Sequence, residues 1–147
     1  MIRLFFPDYP FRMRNIDGKR QIYDTTRKKW IAFTPEEWVR QNFLQYLIQE
    51  KKYPASLIAV EKELMLGEMR KRFDILVYDH QHKPWLMVEC KSMEAIINDA
   101  VVHQILRYNL AIPVQYLVVT NGNGTWFFEK KTGRLDMIQE LPVWKES

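Results

Sequence analysis

The sequence predicts an α/β domain in which a mixed β-sheet is flanked by helices and preceded by a β-rich extension. Three observations predict it. Short apolar, β-branched runs recur at 57–64, 72–78, 85–91, 114–120 and 125–129, with turn residues between them. Two stretches with helical spacing, 35–50 and 93–110, interrupt those runs. The second stretch lies between two apolar runs, so it reads as a crossover that brings in a strand parallel to one already placed.

Taken in order, residues 1–33 are β-rich. Asp17-Gly18 sits between FRMRNI and KRQIYD as a two-residue hairpin turn, and Trp30 to Phe33 offers a third strand. Arg12, Arg14, Lys19, Arg20, Arg27, Lys28 and Lys29 crowd this segment. They form either a solvated surface or an appendage that contacts phosphates. Thr34 is an N-cap and Pro35 the first helical residue. Glu36 and Glu37 meet the positive end of the helix dipole, and Glu37 can complete a capping box. Trp38, Val39, Phe43, Leu44, Tyr46, Leu47 and Ile48 continue the helix until Lys51-Lys52, and Tyr53-Pro54 breaks it. Leu57 to Leu64 alternates as a strand and Gly67 turns the chain. RFDILVY (72–78) and WLMVECK (85–91) are two further strands around the polar turn 79–84. Ile96, Ile97, Ala100, Val101, Ile105, Leu106 and Tyr108 carry the second helix, which Pro113 ends. VQYLVVT (114–120) and TWFFE (125–129) form a hairpin around NGNG. The tail after Gly133 is weakly patterned, and Leu141, Val143 and Trp144 are expected to pack on the body.

The 147 residues fit one domain, 1–147, with the extension at 1–33 and a core at 34–129. An apolar share of 47% supports a packed core without staples. No run is long and apolar enough for a membrane helix, and the first residues have too short an apolar stretch for a secretory signal. The one cysteine, Cys90, excludes a disulfide framework and a zinc finger and fits a reducing cytoplasm. A net charge of +4 permits a nucleic-acid partner without diagnosing one.

Asp74 is the anomaly, a carboxylate inside Phe, Ile, Leu and Val. A lone buried carboxylate costs several kcal/mol, so it requires a partner or a metal. Glu89 and Lys91 close the next strand. They differ by two, so they share a sheet face, and a hairpin brings Asp74 beside them. Two carboxylates supply hard oxygen ligands for Mg²⁺, with Mn²⁺ as a substitute. A lysine beside them can stabilise a deprotonated water or offset charge on a pentavalent phosphate. The other reading is a structural ion-pair cluster. The acid-x-Lys triplet is weak alone. It also occurs at Asp17/Lys19, Glu50/Lys52 and Glu129/Lys131, but only Glu89/Lys91 ends an apolar strand whose hairpin predecessor carries an acid.

Asp74 in RFDILVY with Glu89-Cys90-Lys91 in WLMVECKS resembles the PD-(D/E)xK nuclease superfamily. More narrowly, the sequence resembles the N-terminal nuclease domain of type I restriction enzyme R subunits. The supporting stretches are TPEEWVRQ (34–41), KRFDILVYD (71–79), VECKS (88–92), HQILRYN (103–109) and LVVTNG (117–122). Phe73 stands where the superfamily's motif has a proline. The resemblance implies a restriction-endonuclease-like mixed sheet, a metal-dependent endonuclease acting on DNA, and restriction-system partners or a homodimer. It makes Asp74, Glu89, Lys91, Gln104 and Tyr108 catalytic. The metal ligands it implies are Asp74, Glu89, the carbonyl of Cys90, and an acid of the first helix, Glu37 or else Glu36. Gln104 and Tyr108 match a Q-x-x-x-Y element and share a helix row with Ile97 and Val101. On that inward-facing row Gln104 needs a partner. R subunits carry a translocating ATPase, whereas G-x-x-x-x-G-K-[ST] does not occur here. The expectation is therefore a free-standing relative or a chain that works with others. The alternative function is a nucleic-acid-binding or assembly module that keeps the fold and does not cut.

His80-x-His82 reads as a polar turn, with a transition-metal site as the sharper alternative, and His103 reads as structural. Cys90 is expected to face away from Glu89 and Lys91 into the core rather than act as a nucleophile. Thr120-Asn121-Gly122 reads as a turn that could also contact phosphate. Arg70, Lys71 and Arg72 are a solvated charge run or phosphate contacts.

Overall fold

The computed structural model describes residues 1–146. Strands β1 (Met13–Ile16), β2 (Lys19–Asp24) and β3 (Lys29–Ala32) form an antiparallel sheet in the order β1-β2-β3. Asp17 and Gly18 both adopt positive φ, 52° and 76°, the geometry that lets a two-residue turn follow the strands' twist. Helix α1 (Pro35–Gln49) follows. The Thr34 side chain accepts from the Glu37 amide at 3.1 Å. The capping box is only half made, because Glu37 turns its carboxylate to Arg27 and Gln41 instead.

The main sheet has six strands in the order β4 (Ile58–Leu66), β5 (Met69–Tyr78), β6 (Pro84–Cys90), β7 (Tyr116–Thr120), β8 (Thr125–Lys131) and β9 (Arg134–Ile138). All neighbours are antiparallel except β6 and β7, which run parallel across the crossover that contains α2 (Asp99–Asn109). The sheet divides two apolar layers. One joins Val39, Phe43 and Leu47 of α1 to Ile75, Val77, Val88, Cys90 and Val118. The other joins Val102 and Leu106 of α2 to Leu76, Met87, Leu117 and Phe128. Side chains of this size each contribute about 1.5–3 kcal/mol when buried, so these layers fix the sheet that carries the site.

Two elements differ from the sequence reading. The second helix begins at Asp99, not near 93. The Asn98 side chain accepts from the Val101 amide at 3.0 Å, and the Ala95 amide closes a separate turn onto the Ser92 carbonyl, so 93–98 never joins the helix. Ile96, counted in the helical pattern, is 88% exposed. In the tail, Arg134–Ile138 forms a strand on the sheet edge, paired with β8 around a turn at Gly133. Its charges hid it, as edge strands often carry them. Leu141 is buried, and Trp144 packs on Tyr53 and Trp85, whereas Val143 remains exposed.

Candidate active site

Asp74 and Glu89 meet where the β5–β6 ladder ends. The last ladder pair is Ile75 with Val88, which leaves Asp74 and Glu89 opposite each other one step further on. The Cys90 amide donates to Asp74 Oδ2 at 2.7 Å, so a side chain replaces the next backbone bond. Glu89 stands beside the Asp74 carboxylate. Burial, followed by the neighbouring Asp74 charge, pushes its carboxyl up to about 7. Lys71 Nζ is 4.0 Å from Glu89 Oε1 and offsets this only partly.

An open cleft of about 330 Å³ lies beside Glu89, lined by Lys71, Glu89, Lys91, Gln104, Ile105 and Tyr108 among others. Lys91 is held by its amide, which donates to the Thr120 carbonyl at 2.8 Å and so carries the β6–β7 pairing one residue past the strand. Gln104 and Tyr108 reach the cleft from α2. The α2 face that is buried carries Val102, Leu106 and Asn109, so Gln104 is exposed rather than inward and Tyr108 is 77% exposed. Solvent satisfies Gln104, and the partner its row was expected to demand is unnecessary.

Cys90 faces the α1 layer, is 1% exposed, and has its thiol pushed well up by burial. Its backbone carbonyl remains at the strand end beside the acid pair. Glu37 is buried elsewhere. Its Oε2 accepts from Arg27 Nη2 at 2.8 Å and from Gln41 Nε2 at 3.0 Å. The Arg40 guanidinium stands between it and the pair, 3.7 Å from Glu37 Oε1 and 3.9 Å from Asp74 Oδ1. Glu36 is exposed and only 3.5 Å from the same guanidinium.

Sequence reading passed over Arg40, Gln41 and Glu61. Arg40 is 4% exposed, and its Nη1 lies 2.9 Å from Glu61 Oε1. Burial would lower its pKa, but Glu61, Glu37 and Asp74 outweigh that and raise it. Glu61 breaks the regularity of β4 with φ of 52°, a left-handed conformation that costs about 1–2 kcal/mol for a residue with a Cβ. Arg40, Arg72 and Arg27 hold it there. The readable signal was the stripe Glu37, Arg40, Gln41, Leu44, three polar residues on a row that ends in the core. Glu61's backbone left no mark in the sequence.

The remaining candidates lie apart from the cleft. His80 stacks on Trp144 with ring centroids 4.5 Å apart and sits 2.8 Å from the Lys145 carbonyl. His103 is exposed on α2. Asn121 Oδ1 accepts from the Asn123 and Gly124 amides, as a turn residue does. Arg70 pairs with Glu63 and Arg72 with Glu61, which leaves Lys71 as the member of that run turned to the cleft.

Among the described residues, no group of three or more His, Cys, Asp or Glu side chains is placed to hold a metal ion. Two carboxylates and a carbonyl still fit Mg²⁺, which binds through one or two carboxylates and keeps the rest of its shell for water and phosphate oxygens. Burial and the neighbouring Asp74 charge raise the Glu89 carboxyl, an effect that a cation held by the pair would oppose. No helix among the described residues is long and apolar enough to cross a membrane.

The profile of the family described as type I restriction enzyme R protein N terminus matches residues 35–142. None of the curated proteins compared with the chain matches it. Among solved structures, a fragment assigned to the HsdR subunit of a type I restriction enzyme from Vibrio vulnificus YJ016 is similar at 18% identity and a TM-score of 0.47. The match covers 68% of this chain and 22% of that one, so the present chain corresponds to under a quarter of that relative's length.

Proposed function

The chain belongs to the family of type I restriction enzyme R protein N-termini, and from that premise we propose that it hydrolyses phosphodiester bonds in DNA as a Mg²⁺-dependent endonuclease, with Mn²⁺ able to replace Mg²⁺. The observation that carries the reading is the Asp74–Glu89 pair, two adjoining carboxylates with Lys71 and Lys91 nearby and a cleft beside Glu89.

In this reading Asp74, Glu89 and the Cys90 carbonyl hold the cation, and Glu37 stays outside because Arg27 and Gln41 already occupy its carboxylate. The cation, when bound, lowers the pKa of a water and polarises the phosphoryl oxygen. Glu89 must give up its proton to join, and the cation's charge would favour that loss. Lys91, on the same face as Glu89, sets a positive charge where the phosphorus gains a fifth oxygen. Lys71 holds Glu89 in place from the other side. Gln104 and Tyr108 present an amide and a phenol across the cleft and orient the sugar-phosphate strand. Arg40, 3.9 Å from Asp74, keeps that carboxylate aimed at the strand end. A cytoplasmic setting and restriction-system partners go with the same reading.

A second reading, a module that binds nucleic acid without cutting, draws on the missing third acid. Plasmid nicking with Mg²⁺ or Mn²⁺ separates the two. Nicking that EDTA stops and Lys91→Ala removes supports the enzyme. Binding without nicking in either metal supports the module.

A further inference from the structure

The three-stranded sheet ahead of α1 carries a surface that the cleft does not use. Seven basic and two acidic side chains fall in 11–33, a net +5, which exceeds the +4 of the whole chain. Of the fourteen basic residues in 34–147, seven pair with carboxylates: Arg40, Lys51, Arg70, Lys71, Arg72, Lys131 and Arg134. In contrast, among the described residues no carboxylate lies within 4.0 Å of the charged nitrogens of Arg12, Arg14, Lys19, Arg20, Lys28 or Lys29.

Strand alternation sorts these cations. Ile22 and Asp24 are fully buried, so their parity faces the body. The opposite parity carries Arg14 across from Gln21 and Tyr23 across from Trp30, with Arg12 bonded through its carbonyl to the Tyr23 amide. The guanidinium of Arg14 sits 4.3 Å from the centre of the Trp30 ring, and that of Arg12 sits 4.8 Å from Tyr23 and 5.4 Å from Trp30. Tyr23 and Trp30 are themselves packed edge to face. Arg14 Nε also donates to Gln21 Oε1 at 2.7 Å. Each guanidinium is therefore seated on a ring, with its outer N–H groups free for an anion, and little side-chain freedom is left to lose on binding.

From this we propose that the outer face of the β1–β3 sheet is a docking surface for the phosphate backbone of duplex DNA, with Arg12 and Arg14 as its paired contacts. The ring faces that would stack unpaired bases are already covered by the guanidiniums, which disfavours single strands. A duplex offers phosphates on its outside and needs no ring face. The choice of DNA over RNA rests on the hydrolysis proposed above. The surface itself does not, because it is read without metal.

The test is anisotropy of a labelled DNA duplex with the full chain in EDTA, across a salt series. Arg12→Gln with Arg14→Gln is compared with Lys131→Gln with Arg134→Gln, which removes the same charge from the far hairpin. We expect the first pair to weaken binding roughly tenfold or more and to lower the salt slope by about 2, since each phosphate contact contributes about 0.9. The second pair stays near wild type. Equal losses in the two variants, an unchanged slope in the first, or tighter binding of single strands or duplex RNA than of duplex DNA would overturn the surface. Unfolding is excluded by matching melting temperatures. Duplex bound through Arg12 and Arg14 by a protein that never nicks DNA would sink the hydrolysis and leave this surface standing. Nicking whose KM for DNA is unchanged in Arg12→Gln/Arg14→Gln would sink this surface alone.

Discussion

Two pairs of acids lie on either side of Arg40, one buried and one half-buried, and they are treated in opposite ways. Asp24 and Glu37 are surrounded by donors: the Thr26 and Arg27 amides, the Arg27 guanidinium and the Gln41 amide. Burial alone would raise Asp24, but those bonds outweigh it and hold its carboxyl low. Asp74 receives the Cys90 amide and lies 3.9 Å from the Arg40 guanidinium, while Glu89, with the Lys71 ammonium 4.0 Å away and Lys91 also acting on it, is still pushed up to about 7. The first pair ties the β2–β3 turn to α1 and is complete. The second is compensated only in part, with Glu89 on the wall of a cleft. That contrast supports the proposal that chemistry is sited at the second pair.

The contrast can be broken at the complete pair first. Arg27→Met leaves Asp24 and Glu37 buried without their cation, and should cost about 3–5 kcal/mol of stability, read as the midpoint of denaturant unfolding. A variant as stable as wild type would show that the network is not what holds β2–β3 to α1.

At the open pair, Lys91→Ala should lower nicking by about 10²–10³-fold, the loss typical when one charge-stabilising donor is removed, while circular dichroism stays native. Retained nicking at the wild-type rate would remove Lys91 from the reaction.

A subtler break uses pH. Glu89 sits at about 7 in the fold, against about 4.3 in an unfolded chain. A raised carboxyl contributes stability that is complete below the unfolded value and is lost as pH rises through the folded one. In EDTA the melting temperature should therefore fall between about pH 4 and pH 7, and Glu89→Gln should flatten that fall. Mg²⁺ should oppose the fall, because it takes the deprotonated form. A wild-type profile as flat as the variant's would mean that Glu89 titrates normally.

The smallest expected effect lies at the helix that joins the two pairs. Thr34→Ala removes the acceptor for the Glu37 amide and should cost about 1 kcal/mol, seen as a drop of a few degrees in Tm. No drop would mean that solvent replaces the cap.

The strands, the first helix and the parallel crossover were legible because burial writes them as apolar runs with a clear period. The acid pair was legible for the inverse reason, since Asp74 and Glu89 interrupt such runs. The start of α2 was not, because Ile96 and Ile97 keep the helical period while Asn98 stops the backbone from following it. β9 was hidden by Arg134 and Asp136, whose pairing with each other suits an exposed edge. Gln104 was placed on an inward row by its spacing, yet a row on a helix tells only which residues share a side. The α2 contacts with Leu76 and Met87 decide which side is inside. Arg40 and Glu61 were out of reach for a further reason: their meaning depends on a contact between α1 and a distorted β4, which no local pattern records.

The most direct test is a crystal soaked in Mn²⁺ with the anomalous signal of the ion located. One site bounded by the carboxylates of Asp74 and Glu89, and lost in Asp74→Asn, is the expected result. Ions found only elsewhere, or a soaked crystal with no ion between these two carboxylates, would contradict it.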